Sequence, residues 1–419
     1  MAASRSGTRR AQTERHCRMN KKNVGIVSCY FKNNYGSVLQ AYATQRILDE
    51  HHIENCTIDM AGIGREIRTG RMKYYLRNLL NAGMYRAKRG LIRHGLRRKT
   101  NRSFRGNIGL RVAEFDRFRR EHIRLSARCF GKAALTRYCE GFSDVVLGSD
   151  QLWLPVNIEG DYYTLTFVPD GVNKIAYSTS FGVSSLPRYL HGRTRDFLRR
   201  IDHLSVREES AVGLARNIAG REAQLVCDPV FLIAPECWAQ VAQNVALPAP
   251  APGQSYIFCY FLGDNPKHRS YANRLKALTG MPIVALRHLD AYIPSDDDFG
   301  DCAPWAVGPA QFLSLLSGAA YICTDSFHCT SFAILFKKSF FAFERFGKES
   351  SQSTNGRIHS LLARTGLMSR LFQGDEDPRL SLDTDHSMTD GCVARMREAS
   401  LQFLLNALRI EEAEGATDG

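Results

Sequence analysis

The fold class of this 419-residue chain follows from three consecutive segments, NVGIVSCY over residues 23–30, VLQAYATQRIL over 38–48 and NCTIDM over 55–60. The first and third are short apolar runs typical of strands, and the middle one repeats its apolar residues at helical spacing. Strand, helix and strand within about 35 residues form a βαβ unit. Such a unit predicts a parallel sheet covered by helices.

The same alternation continues along the chain and restarts after a proline-rich stretch, LPAPAPG at 247–253. Three prolines there favour an extended connector. We therefore predict two doubly wound α/β domains with a site in the cleft between them, beyond the carboxyl ends of the strands. The predicted limits are a disordered basic leader over 1–21, a first domain over 22–246, a linker over 247–253, a second domain over 254–385, a C-terminal helix over 386–412 and a tail over 413–419.

The net charge of +14 is concentrated in one segment. Between Arg65 and Arg124 the chain has nineteen Lys and Arg against four Asp and Glu, and few apolar residues. We expect this segment, 65–124, to be an insertion or lid outside the core. Two interpretations stay open: a solvated insertion, or a surface that docks on an anionic membrane or holds a lipid-linked pyrophosphate acceptor. In the membrane-docking interpretation, the side chains that would enter the membrane interface are those of Tyr74, Tyr75, Leu76, Leu79 and Leu80.

Composition excludes several other classes of protein. The twelve cysteines are scattered and form no CxxC pair, which predicts free thiols rather than a zinc or redox motif. No window reaches the ~20 apolar residues of a membrane span, and the first residues lack the apolar region of a secretory signal. We therefore expect a cytoplasmic protein, with peripheral contact at the inner face of the membrane as an extension of the docking hypothesis. The basic segment has few interleaved aromatic residues, which argues against nucleic-acid binding.

Four polar clusters follow predicted strands, and each has a functional and a structural interpretation. NNYGS at 33–37 offers backbone amides to a polar ligand or merely caps a helix. GSDQLW at 148–153 offers a carboxylate and an indole face to a sugar, or an Asp cap and a core tryptophan. Arg207 supplies a planar fork for a carboxylate or phosphate, or a structural salt bridge. TDSFHCTS at 324–331 contains His328, which is suited to proton transfer near neutral pH unless it is simply buried.

Taken together, six segments resemble the polysaccharide pyruvyl transferase family in their order and spacing. They span residues 23 to about 365, nearly the whole chain. The segments are NNYGSVLQAYA from Asn33, VVLGSDQLW from Val145, KIAYSTSFG from Lys174, LSVREESAV from Leu204, VCDPVFL from Val226 and TDSFHCTSFAILFKKSFFAF from Thr324.

The resemblance implies a fold similar to GT-B glycosyltransferases, with two Rossmann-like domains facing across a cleft. It also implies transfer of the pyruvyl group of phosphoenolpyruvate onto two hydroxyls of a sugar, as a cyclic ketal, in exopolysaccharide, capsule or cell-wall glycan synthesis. The partners would be phosphoenolpyruvate, as co-substrate, and a sugar acceptor, free or lipid-linked. These steps demand no metal and no other cofactor. The alternative is a glycosyltransferase of the same architecture that uses a nucleotide sugar.

The family's histidine lies in an Arg-x-His motif, whereas here Ser326 stands at the arginine position before His328. By resemblance, His328 is the acid/base group and Arg207 binds the donor. We expect Arg345 or Arg357 to supply the charge that Ser326 lacks at the donor site. The residues expected to bind the acceptor are Asn34, Tyr35, Gly36, Ser149, Asp150 and Trp153.

Overall fold

The fold is described from a computed structural model over residues 22–79, 93–97, 99–243, 245–247, 253–289, 292–346 and 355–410. The predicted leader over 1–21, the tail over 413–419 and most of the linker over 247–253 lie outside these residues. The exact limits of the predicted domains stay predictions.

The first sheet has six parallel strands in the order β2-β1-β3-β4-β5-β6. The βαβ unit predicted from the first three segments forms β1, the following helix and β2, which pairs directly with β1. The strands are β1 (Asn23–Val27), β2 (Glu54–Thr57), β3 (Asp144–Leu147), β4 (Asn173–Thr179), β5 (His203–Val206) and β6 (Gln224–Leu225).

The second sheet is also parallel, with five strands in the order β11-β10-β9-β7-β8. Its strands are almost entirely apolar, as expected for a sheet that is buried on both faces. The prediction of two Rossmann-like α/β domains facing across a cleft is confirmed. The strands are β7 (Ile257–Tyr260), β8 (Ile283–Ala285), β9 (Tyr321–Thr324), β10 (Ser339–Phe343) and β11 (Leu371–Phe372).

Helices connect the parallel strands, and several of them pack between the two sheets. None of the helices within the described ranges has the length and apolar character needed to cross a membrane. The helices are α1 (Tyr35–Glu50), α2 (Gly64–Arg77), α3 (Arg102–His122), α4 (Lys132–Cys139), α5 (Pro155–Gly160), α6 (His191–Arg200), α7 (Glu209–Ala219), α8 (Pro235–Ala242), α9 (Pro266–Thr279), α10 (Pro309–Gly318), α11 (Phe327–Leu335), α12 (Gly356–Arg364) and α13 (Thr389–Ala407).

Helix α3 lies in the interface between the domains, so the expectation that residues 65–124 stay outside the core is wrong for this part. Ile108, Phe115 and Phe118 are buried in a core that also contains residues of the second domain. Arg111 is buried with them and donates to the carbonyls of Pro304 (2.7 Å) and Trp305 (3.0 Å). The low average hydropathy of the segment concealed one apolar face at helical spacing.

Two other helices tie the domains together. Trp238 of α8 packs edge-on against Phe332 of α11, at 5.0 Å between ring centroids. The C-terminal helix α13 returns to the first domain, where Ser400 Oγ accepts from the Cys227 amide at 2.8 Å. These contacts hold the carboxyl ends of the two sheets in a fixed relation.

Candidate active site

Polar side chains from both domains meet beyond the carboxyl ends of five strands, as expected for open parallel sheets. Most of them are buried. They are Ser149 and Asp150 after β3, Arg207 after β5, Asp228 after β6, Asp325, Ser326 and His328 after β9, and Arg345 after β10.

Asp228 is the centre of this group. Its Oδ2 accepts from Ser149 Oγ and from Arg207 Nη1, each at 2.7 Å. His328 Nε2, from the second domain, lies 3.3 Å from the same oxygen. Although burial opposes ionisation, His328 and Arg207 lower the pKa of the Asp228 carboxyl to about 2. An ionised carboxylate of the first domain therefore faces the predicted acid/base residue of the second.

Asp150 supplies a second ionised carboxylate. Its Oδ2 accepts from Ser37 Oγ at 2.6 Å and from Cys29 Sγ at 3.3 Å. Burial opposes its ionisation, but the charges of Lys32, His328 and Arg207 outweigh it and hold the pKa of Asp150 well below its usual range. Its backbone has a φ of 80°, in a region that non-glycine residues seldom occupy. Backbone strain of this kind is concentrated at functional sites.

Arg207 is buried and only partly hydrogen-bonded. Nη1 donates to Asp228, while Nε and Nη2 have no hydrogen-bond partner among the described residues. Asp150 and Glu208 lie 3.9 and 4.0 Å away and compensate its charge. The guanidinium lies 4.2 Å from the centroid of the Phe327 ring. Two donor nitrogens of the fork are therefore buried without a hydrogen-bond acceptor among the described residues.

Two further arginines lie near Arg207. Arg345 donates through Nη2 to the carbonyl of Asp325 at 3.1 Å. Arg357 lies 5.9 Å from the Phe327 ring. Burial, followed by repulsion from Arg207 and Arg345, lowers the pKa of Arg357 to about 9. Arg207, Arg345 and Arg357 therefore lie close enough for their charges to repel one another.

The imidazole of His328 lies against the first turn of α1. A Cβ added at Gly36 would be 1.9 Å from His328 Nδ1, so only glycine permits this approach. Ser326 caps α11, since its Oγ accepts from the Cys329 amide at 3.5 Å, and His328 is the second residue of that helix. The ring is therefore held between Gly36 of the first domain and Asp228.

The prediction that Trp153 offers its face to a sugar is wrong. Its side chain is fully buried, and Nε1 donates to the carbonyl of Tyr163 at 3.0 Å. Phe181 and Phe197 pack against the ring. The core interpretation of this tryptophan is the one that the structure supports.

Tyr35 is likewise engaged in packing rather than open to an acceptor. Its ring stacks on Phe312 of the second domain at 4.4 Å, and its hydroxyl donates to the Val307 carbonyl at 2.8 Å. Asn34 caps α1 by accepting from the Ser37 amide at 3.1 Å. Of the six residues expected to bind the acceptor, Gly36, Ser149 and Asp150 lie with the central group, and Asn34 adjoins it through Ser37, whose Oγ lies 3.4 Å from Asn34 Oδ1.

The sequence did not single out Asp228 as a site residue, and Ser37 was predicted only as part of the segment 33–37. Asp228 follows β6 and precedes Pro229, a pattern that resembles an ordinary turn. Asp228 nevertheless follows a predicted strand, and the same position after a strand is what made Arg207 a candidate site residue. Within the described ranges, no three or more His, Cys, Asp and Glu side chains are placed to hold a metal ion.

Several solved structures are similar to this chain at low sequence identity. The UDP-GlcNAc 2-epimerase of Neisseria meningitidis bound to UDP-GlcNAc is 11% identical, covers 92% of this chain and 100% of its own, and has a TM-score of 0.47. S. aureus MnaA with UDP is 11% identical, covers 94% of this chain and 100% of its own, and has a TM-score of 0.46. The E. coli heptosyltransferase WaaC with ADP-2-deoxy-2-fluoro heptose is 11% identical, covers 82% of this chain and 99% of its own, and has a TM-score of 0.32.

Curated proteins give no match to this chain. The model of the polysaccharide pyruvyl transferase family matches residues 34–345, which include nearly all of the strand-end residues described above. Because that match covers most of the chain, the protein belongs to the polysaccharide pyruvyl transferase family.

Proposed function

We propose that this protein transfers the pyruvyl group of phosphoenolpyruvate to two hydroxyls of a sugar, forming a cyclic ketal during synthesis of an exopolysaccharide, capsule or cell-wall glycan. Family membership supports the transferase class. The observation that carries the proposal is the group formed by the buried Arg207 and Arg357 and the half-buried Arg345, near the ring of His328.

The charge and shape of this group fit the donor. Phosphoenolpyruvate carries a carboxylate and a phosphate, and guanidinium forks bind both in bidentate fashion. Arg207 has Nε and Nη2 without a hydrogen-bond acceptor among the described residues, and Arg357 is destabilised as a cation first by burial and then by its arginine neighbours. A bound anion would relieve that repulsion. Arg345 and Arg357 thereby take the role of the charge that Ser326 does not supply.

The reaction needs protons to be moved but no redox step. One sugar hydroxyl forms a bond to C2 of the donor, and C3 takes up a proton to become a methyl group. The C2–O bond to phosphate then breaks as the second hydroxyl closes the ring. The two sugar hydroxyls lose one proton each. One proton is equivalent to the proton that C3 takes up, and the other is equivalent to the proton that the released phosphate carries. We assign these transfers to His328, which Gly36 and Asp228 hold in place.

On the acceptor side we assign Asp150 and Ser149 of the first domain. Asp150 stays ionised and already accepts from a hydroxyl, that of Ser37. A sugar hydroxyl is the same kind of donor.

The cytoplasm is the proposed compartment, because all eleven cysteines within the described residues are free thiols, as a reducing environment favours.

Two measurements test the proposal. In thermal unfolding, phosphoenolpyruvate should raise the midpoint, whereas a panel of nucleotide sugars should not, because only a ligand of the folded state stabilises it. Incubation with phosphoenolpyruvate and candidate acceptors should then release phosphate and add one pyruvyl ketal to the acceptor mass. Stabilisation by a nucleotide sugar alone would favour the glycosyltransferase alternative.

A further inference from the structure

Helix α2 presents two different faces. One packs on α5: Ile67 is buried, and a Cβ on Gly70 would lie 2.1 Å from the carbonyl oxygen of Glu159. The opposite face is apolar yet exposed, since Met72 and Leu76 are each 58% exposed and Leu79, just after the helix, is 49% exposed. Exposed apolar side chains repeated at helical spacing mark an interaction surface.

Cations flank this apolar stripe. At 100° per residue, Arg65 and Arg68 lie within about 50° of the stripe's centre, and Lys73 lies about 95° from it. None of the three is ion-paired with a carboxylate of the described residues, and Arg68 donates only to the Gly64 carbonyl of its own helix. We call these six residues, Arg65, Arg68, Met72, Lys73, Leu76 and Leu79, the basic apolar face of α2.

A cavity of about 540 Å³ opens beside this face and shares Arg65 and Lys73 with it. Two acids of its wall are already neutralised, because Glu159 pairs with Arg77 and Arg193, and Asp161 pairs with Lys132. The third acid in the wall is Glu66. Arg65 and Lys73, which form no ion pair with the described residues, outnumber the carboxylate of Glu66. The cavity therefore has a net positive charge that suits a phosphate group.

We propose that the basic apolar face of α2 docks on the surface of an anionic membrane. Met72, Leu76 and Leu79 enter the boundary between head groups and acyl chains, and the three cations meet lipid phosphates. This pattern is that of interfacial helices, which combine an apolar strip with flanking Lys and Arg. Protein interfaces are instead depleted in charged residues at their core, and in lysine in particular. The proposal does not depend on the reaction proposed above.

Flotation of the full chain with vesicles tests the docking. Wild type should float with phosphatidylcholine vesicles that contain phosphatidylglycerol, should stay behind with pure phosphatidylcholine, and should be released by added salt. R68Q/K73Q should weaken the partition by about 30-fold, because each cation near an anionic leaflet contributes about 1 kcal/mol. M72S/L76S keeps the charge and should also lose most binding, since the apolar contact is removed.

Two control variants separate a local surface from general basicity. R395Q/R397Q removes the same charge from α13, and Met388→Ser removes a side chain that is 76% exposed elsewhere. Both should float like wild type, and all variants should keep the wild-type thermal midpoint. Equal partition onto neutral and anionic vesicles, no partition onto either, or an equal loss in R395Q/R397Q would overturn the proposal.

Discussion

Replacing Gly36 by alanine tests whether the reaction depends on the position of the His328 ring. A Cβ there would lie 1.9 Å from Nδ1, 2.3 Å from Cγ and 2.6 Å from Cε1 of that ring. Because carbon atoms pack at about 3.5 Å, the ring must retreat by about 1.5 Å. Nε2 would then leave its place 3.3 Å from Asp228. A displacement of 1 Å at a reacting group costs about 100-fold in rate.

We therefore expect Gly36→Ala to lower phosphate release from phosphoenolpyruvate by about 100-fold and to destabilise the fold by about 1–3 kcal/mol, the usual cost of overpacking. The matched control is Gly213→Ala in α7, where an added Cβ has no atom within 4 Å. That variant should keep full activity and melt at the same temperature or slightly higher, because alanine favours a helix. Wild-type turnover in Gly36→Ala would refute the assignment of His328.

Three further predictions concern single side chains. His328→Ala should reduce turnover by ~10²-fold or more with the fold intact, since acid–base catalysis contributes about 10²–10⁴; near-normal turnover would contradict this. Arg207→Lys should weaken donor binding in thermal-shift titrations, because lysine keeps the charge but loses the fork, whereas Arg216→Lys, which changes an exposed ion pair, should not. Burial lowers the pKa of His268 from its ordinary value near 6.5 to about 4, so between these values the unfolded chain binds a proton that the folded chain does not. The free energy of unfolding should then fall by up to about 3 kcal/mol as pH drops through that window, and His268→Phe should remove this part of the slope; identical slopes in the two proteins would show that the histidine is not buried neutral.

The strands and the groups that follow them could be predicted from sequence because their signals are local. A run such as VVLGSD contains both the apolar strand and the polar residues at its end, and the geometry of parallel sheets then brings such ends together. Arg207 and His328 are 121 positions apart in the chain, yet both contact Asp228 in this way. The general place of the site was predictable from that geometry alone.

What a side chain contacts depends on other parts of the chain, and there the sequence was insufficient. Tyr35 follows a strand, like the site residues, but Phe312 of the second domain covers its ring. Trp153 has the same local setting and is enclosed by Phe181 and Phe197. Nothing within a few residues of either aromatic indicates these neighbours. For the same reason, average composition placed α3 outside the core although one of its faces fits the domain interface.

The state of Arg207 is the part of the architecture from which binding of an anion is proposed. Asp228, Asp150 and Glu208 compensate its charge, which makes its burial tolerable, but Nε and Nη2 form no hydrogen bond with the described residues. A buried donor without a partner costs about 1–3 kcal/mol. In the proposed complex, a carboxylate or phosphate that accepts from Nε and Nη2 would recover that cost, and the Phe327 ring already occupies one face of the guanidinium. If Arg207 binds the donor as proposed, arginine serves there through its fork geometry more than through its charge, and the lysine variant should therefore bind the donor poorly.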